Sequence, residues 1–92
     1  MDISGLIIDT QEGDVERVAA AVATLDGVEI LRVVEPSRLL ILVEADGIDP
    51  SMALSEQIWA IPGVAALNLT CHYHDVDGDS DRRAEVVASL AD

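Results

Sequence analysis

Two four-residue segments, Leu25-Asp26-Gly27-Val28 and Ile61-Pro62-Gly63-Val64, each close an apolar helical stripe with glycine and open a new apolar run, 36 residues apart. A chain of 92 residues has room for two such units and little more. Ahead of the first segment, Val15, Val18, Val22 and Leu25 recur at helical spacing. They follow the short run Ile3-Ser4-Gly5-Leu6-Ile7-Ile8, which reads as a strand closed by the polar residues 9–14. Ahead of the second, Leu54, Ile58 and Ile61 share one helical face. Asp49-Pro50 supplies an N-cap residue and a proline at the first helical position. Between the units, Val28–Val34, the turn Glu35-Pro36-Ser37 and the five aliphatics Leu39-Leu40-Ile41-Leu42-Val43 form an antiparallel hairpin, and Val64–Tyr73 alternates as a last strand. The order βαββαβ with right-handed crossovers predicts an α+β, ferredoxin-like fold: a four-stranded antiparallel sheet of order 4-1-3-2 with both helices on one face. Residues 1–74 make this domain, and residues 75–92 form an acidic, solvated tail with a weak helix over 81–90.

Eighteen carboxylates face five basic residues, all arginine, for a formal charge of −13. Six of the acids and two of the arginines fall in residues 75–92, a charge of −4, which leaves −9 on residues 1–74. The acidity therefore belongs to the body. Such a surface repels nucleic-acid phosphates and anionic headgroups and favours neutral or cationic partners. The single Cys71 allows neither an internal disulfide nor a multi-cysteine metal centre, in keeping with a reducing compartment. The first residues carry acids instead of a basic start, and no apolar run approaches the ~20 residues of a membrane span, so a cytoplasmic chain without membrane insertion is expected.

Two helices on one side of the sheet leave the other side without a layer. Period-2 alternation writes that face out once each strand is anchored by a polar residue. Gly5 and Asp9 turn Ile3 and Ile7 outward, Glu29 brings Leu31 and Val33, Glu44 brings Leu40 and Leu42, and Asn68, Thr70 and His72 form the outer side of the last strand. Ile7, Leu31, Val33, Leu40 and Leu42 then make one apolar patch rimmed by Asp9, Glu29 and Glu44, larger than scattered surface aliphatics. An apolar floor with an acidic rim suits an amphipathic helix or extended segment carrying positive charge. Sheet-on-sheet closure of a homodimer would use it equally well, and composition does not choose between the two.

Other chemistry is thinly encoded. His72 and His74 are two apart on a strand and could share a metal with Asp75 or Asp77, but a strand end meeting solvent explains them as well, and neither metal nor cofactor is expected. Residues 75–81 resemble a calcium loop until its sixth and twelfth positions, where Ser80 and Val86 replace glycine and glutamate. Arg82-Arg83 lies near the C-terminal end with no apolar export stretch behind it, so it is not an export signal. Cys71 as a nucleophile would need a base, and strand alternation puts His72 on the opposite side. No glycine-rich phosphate loop or serine elbow occurs, and the acidic chain lacks the basic anion cradle of acyl-phosphate hydrolases of this fold, so no catalytic residue is expected.

Taken together, Ile3-Ser4-Gly5-Leu6-Ile7, Gly27-Val28-Glu29-Ile30, residues 39–44, Ile61-Pro62-Gly63-Val64, Asn68-Leu69 and His72 resemble the NapD family, cytoplasmic assembly chaperones of periplasmic nitrate reductase. The resemblance covers about residues 3–74 and lies in the order of several weak motifs. It implies a chaperone that binds the twin-arginine signal peptide of the catalytic subunit and delays export until molybdenum cofactor is inserted. An arginine pair followed by an apolar stretch complements the rimmed face. Gly5, Ile7, Asp9, Glu29, Leu31, Val33, Leu40, Leu42, Glu44, Asn68, Thr70 and His72 are the expected peptide-binding residues. Where the family often has Tyr-His at the end of the last strand, this chain has Cys71-His72, so an aromatic contact there does not carry over.

The expected state is a monomer or weak homodimer. The competing class is an ACT-like dimeric module that binds small molecules, and a third is a metal carrier centred on His72 and His74. The chaperone reading requires Leu31, Leu40 and Leu42 to be reachable from outside.

Overall fold

The computed structural model describes residues 2–73 and 86–88. Six elements follow in the expected order: β1 (Asp2–Thr10), α1 (Val15–Val22), β2 (Val28–Val34), β3 (Arg38–Ala45), α2 (Ile48–Trp59) and β4 (Val64–Tyr73). The strands make one antiparallel sheet in the order β2-β3-β1-β4, the expected 4-1-3-2 arrangement read from its other edge. The architecture is the α+β, ferredoxin-like one.

The helix layer follows from one stripe of valines. Val15, Val18 and Val22 are buried along α1 and pack with Ile58 of α2 against Leu6, Ile8, Leu39, Ile41 and Val43 of the central strands. Each such side chain removed from water contributes about 1.5–3 kcal/mol, so this cluster anchors both helices. α2 begins earlier than the Asp49-Pro50 signal suggests, with Gly47 as its cap and Ile48 as its first residue. Pro50 therefore stands third in the helix, where it is tolerated because first-turn N–H groups have no intrahelical acceptor to lose. The Ser51 hydroxyl donates to the Gly47 carbonyl at 2.8 Å and holds this entry.

The sequence echo is also a backbone echo, since Gly27 and Gly63 both adopt positive φ, at 84° and 102°. Gly27 also passes β3 closely. Its carbonyl accepts the Glu44 N–H at 2.7 Å, and a Cβ there would lie 2.5 Å from the Glu44 carbonyl oxygen.

On the sheet side opposite the helices, a second cluster joins Ile3, Leu40, Leu42 and Val86, with Ile7, Leu31, Val34, Cys71 and Tyr73 packed around it. The face expected to be bare is thus partly covered by the chain itself. Its aliphatics stand on the side that alternation assigns them, but Val86 has no exposed surface and roofs part of them. Residues 86–88 are helical; the rest of the expected 81–90 helix lies outside the described residues. Among the described residues no helix is long and apolar enough to cross a membrane.

Gly27→Ala is expected to cost about 1–3 kcal/mol from backbone strain alone, before the contact with Glu44 is counted. Thermal unfolding should show a fall in Tm of roughly 10 °C or more.

Candidate functional site

Register places the side chains of the face opposite the helices. β1 and β3 are in step along their whole pairing, so Ile3, Gly5, Ile7 and Asp9 share that face with Glu44, Leu42, Leu40 and Arg38. Leu40 keeps 7% of its surface and Leu42 keeps 1%, while Ile7 and Leu31 are half-buried. Two of the three leucines required to be reachable are thus sealed in this state. The seal comes from Val86 together with the outer-face side chains packed around it, and not from the helix core, which lies on the other side of the sheet.

Two bulges overturn part of the face assignment. In β2 the pairing slips between Ile30 and Arg32, so Leu31 is the extra residue and alternation changes sign beyond it. Val33 consequently opposes Leu39, on the helix side, and Val34 takes its place in the outer cluster. In β4 the pairing slips between the partners of Gly5 and Leu6, leaving Thr70 extra. Asn68 opposes Ile7 and Thr70 donates to the Gly5 carbonyl at 3.0 Å, so both remain with the outer face. His72, in contrast, opposes Ser4 on the helix side, and Cys71 and Tyr73 join the outer cluster. Val33 and His72 are therefore corrected out of the outer face. A bulge of one residue leaves no mark in hydrophobic periodicity, which is why alternation misses both.

The acidic rim is uneven. Asp9 accepts from the Arg38 guanidinium at 2.8 Å, a cross-strand pair open to solvent and worth about 0.2–1 kcal/mol. Glu29 and Glu44 border a hollow of about 190 Å³ floored by Leu42, with Gly27 and Val28 as its other walls. Two carboxylates over an aliphatic floor match a guanidinium on a long apolar stem. Sequence reasoning finds both acids but not the hollow, which depends on the close passage of Gly27 beside β3.

On the helix side, Ser4 Oγ lies 2.7 Å from His72 Nδ1, and His72 Nε2 lies 3.7 Å from the buried Asp2 carboxylate. The hydroxyl is itself buried, so the trio works as a strut tying β4 to β1. Beside it α2 leaves a cleft of about 300 Å³, between Met52 and Ser55 of the helix and Leu6, Val43 and Leu69 of the sheet. Met52 and Leu69 are exposed. Among the described residues no group of three or more His, Cys, Asp or Glu could hold a metal ion. His74, Asp75 and Asp77, the other ligands considered, lie outside the described residues.

Fold and face together define a small two-layer α+β protein of ferredoxin-like build, with an aliphatic sheet face bordered by carboxylates. A family model described as NapD protein matches residues 1–77, and the chain belongs to that family. The solution structure of the E. coli Tat proofreading chaperone NapD superposes with a TM-score of 0.71 at 18% identity, covering 84% of this chain and 82% of that one. A transcriptional regulatory protein of the AsnC family from Pyrococcus furiosus gives 0.64 at 16% identity, with 97% of this chain covering 57% of that protein. At such identities the structural likenesses speak to fold alone. No curated protein matches the sequence.

His72→Ala removes the partner of the buried Ser4 hydroxyl and should cost about 1–3 kcal/mol in chemical denaturation. Because the ring lies on the helix side, the same variant should leave ligand binding on the outer face unchanged.

Proposed function

We propose that this protein is a proofreading chaperone that binds the twin-arginine signal peptide of a periplasmic nitrate reductase catalytic subunit. By occupying that peptide in the cytoplasm it delays export until molybdenum cofactor has been inserted. Membership of the NapD family supports the class of activity. The observation that carries the choice of site is the outer cluster itself. It buries an apolar side chain from a separate short helical segment, as a signal-peptide helix would require, beside the two carboxylates of the Glu29–Glu44 hollow.

In this reading the apolar stretch of the peptide lies over Ile3, Ile7, Leu31, Leu40 and Leu42, and its arginines reach Glu29 and Glu44. Asn68, exposed on β4, would bond the peptide backbone at the far edge, and Thr70, whose hydroxyl donates to the Gly5 carbonyl, would act there as an acceptor. Aliphatic burial supplies affinity and the carboxylates supply register and specificity. The chaperone acts by sequestration, as a monomer, and no covalent step is required.

Calorimetry with a synthetic peptide carrying an arginine pair and an apolar stretch tests this. Wild type should bind, Leu31→Glu should weaken binding tenfold or more, and replacing both peptide arginines by alanine should do the same. Binding of free amino acids or divalent metals in place of the peptide would contradict the reading and favour a small-molecule module or a metal carrier. Between 0.1 and 1 M salt the screening length falls from about 10 Å to about 3 Å, so affinity should drop severalfold without vanishing. Complete insensitivity to salt would remove the carboxylates from the account.

A further inference from the structure

We infer that residues 86–88 are a built-in competitor for the signal-peptide face, so that the client must displace the chain's own C-terminal segment. This rests on the function proposed above and adds its regulation. Three observations carry it. Val86 has no exposed surface and lies in one cluster with Ile3, Leu40 and Leu42, the floor assigned to the peptide. The fit is steric as well as apolar, because a Cβ on Gly5 would stand 2.9 Å from Val86 Cγ1, so the missing side chain of Gly5 is the seat that Val86 occupies. The sequence around Val86, Asp81-Arg82-Arg83-Ala84-Glu85-Val86-Val87-Ala88, shares with the proposed ligand an arginine pair ahead of an aliphatic anchor, though Glu85 stands between them and no long apolar stretch follows. It stands beyond the residues 1–77 matched by the family model.

Val86 is the anchor. Val87 is 41% exposed and Ala88 is exposed, so within the described segment one side chain supplies the apolar contact. A client with several apolar anchors can displace it, while tethering gives the segment a local concentration of order mM that excludes weaker ligands. If the segment covers the face nine-tenths of the time, apparent affinity for the client is reduced about tenfold.

The test uses the full chain. Val86→Asn removes the anchor without altering charge, and Val87→Asn is the exposed control. Calorimetry should show Val86→Asn binding the synthetic arginine-pair peptide about tenfold more tightly than wild type, with Val87→Asn unchanged. A synthetic peptide of residues 81–92 should bind Val86→Asn and compete there with the arginine-pair peptide. Thermal unfolding confirms that each variant is folded. Wild-type binding with equal or weaker binding by folded Val86→Asn would overturn the inference and leave the function standing. Failure of both folded proteins to bind the arginine-pair peptide would overturn the function and the inference together.

Discussion

Five aliphatic side chains in a row, Leu39 to Val43, can leave water only if both faces of their strand are covered. β3 achieves this with the helices on one side and, on the other, Val86 and the outer-face side chains around it, and all five are buried. Everything proposed for the molecule follows from that demand. The two-layer build satisfies it on the helix side through Val15, Val18, Val22 and Ile58. It has no second layer for Leu40 and Leu42, so an occupant must be found, either from the same chain or from a client.

Most of the fold is legible because each element carries a local reason to form. The valine stripe specifies α1, and the two glycine-closed segments mark where the chain turns from helix to strand. The short turn around Pro36 forces β2 and β3 to be antiparallel. The parity of β1 and β3 is also legible, since Asp9, Gly5 and Glu44 anchor strands that pair without a slip. Legibility fails at Leu31 and Thr70, where single-residue bulges shift the edge strands by one, and Val33 and His72 change sides as a result. Those slips are set by how the edge strands pair with the inner ones, which no window of a few residues contains.

The cover over the outer face is a different kind of miss. Two signals for it stand in the sequence: an unbroken aliphatic run, the pattern of a strand buried on both sides, and Gly5 inside a strand, the mark of a close approach by something else. The acidity of residues 75–92 points to a solvated tail, whereas Val86, Val87 and Leu90 are apolar and Val86 is buried. Net charge describes how a segment meets a distant partner, whereas one valine fitted to a glycine decides where it rests.

If one face of the sheet is the ligand surface, alternation along β3 separates the methyl groups that a ligand touches from those it does not. Methyl NMR spectra would be recorded while a synthetic peptide with an arginine pair and an apolar stretch is added to the full chain. The account predicts shifts for Ile3, Leu40, Leu42 and Val86, with Ile8, Leu39 and Ile41 on the helix side nearly unmoved. Shifts centred on Ile8, Leu39 and Ile41, with the outer methyls still, would contradict it.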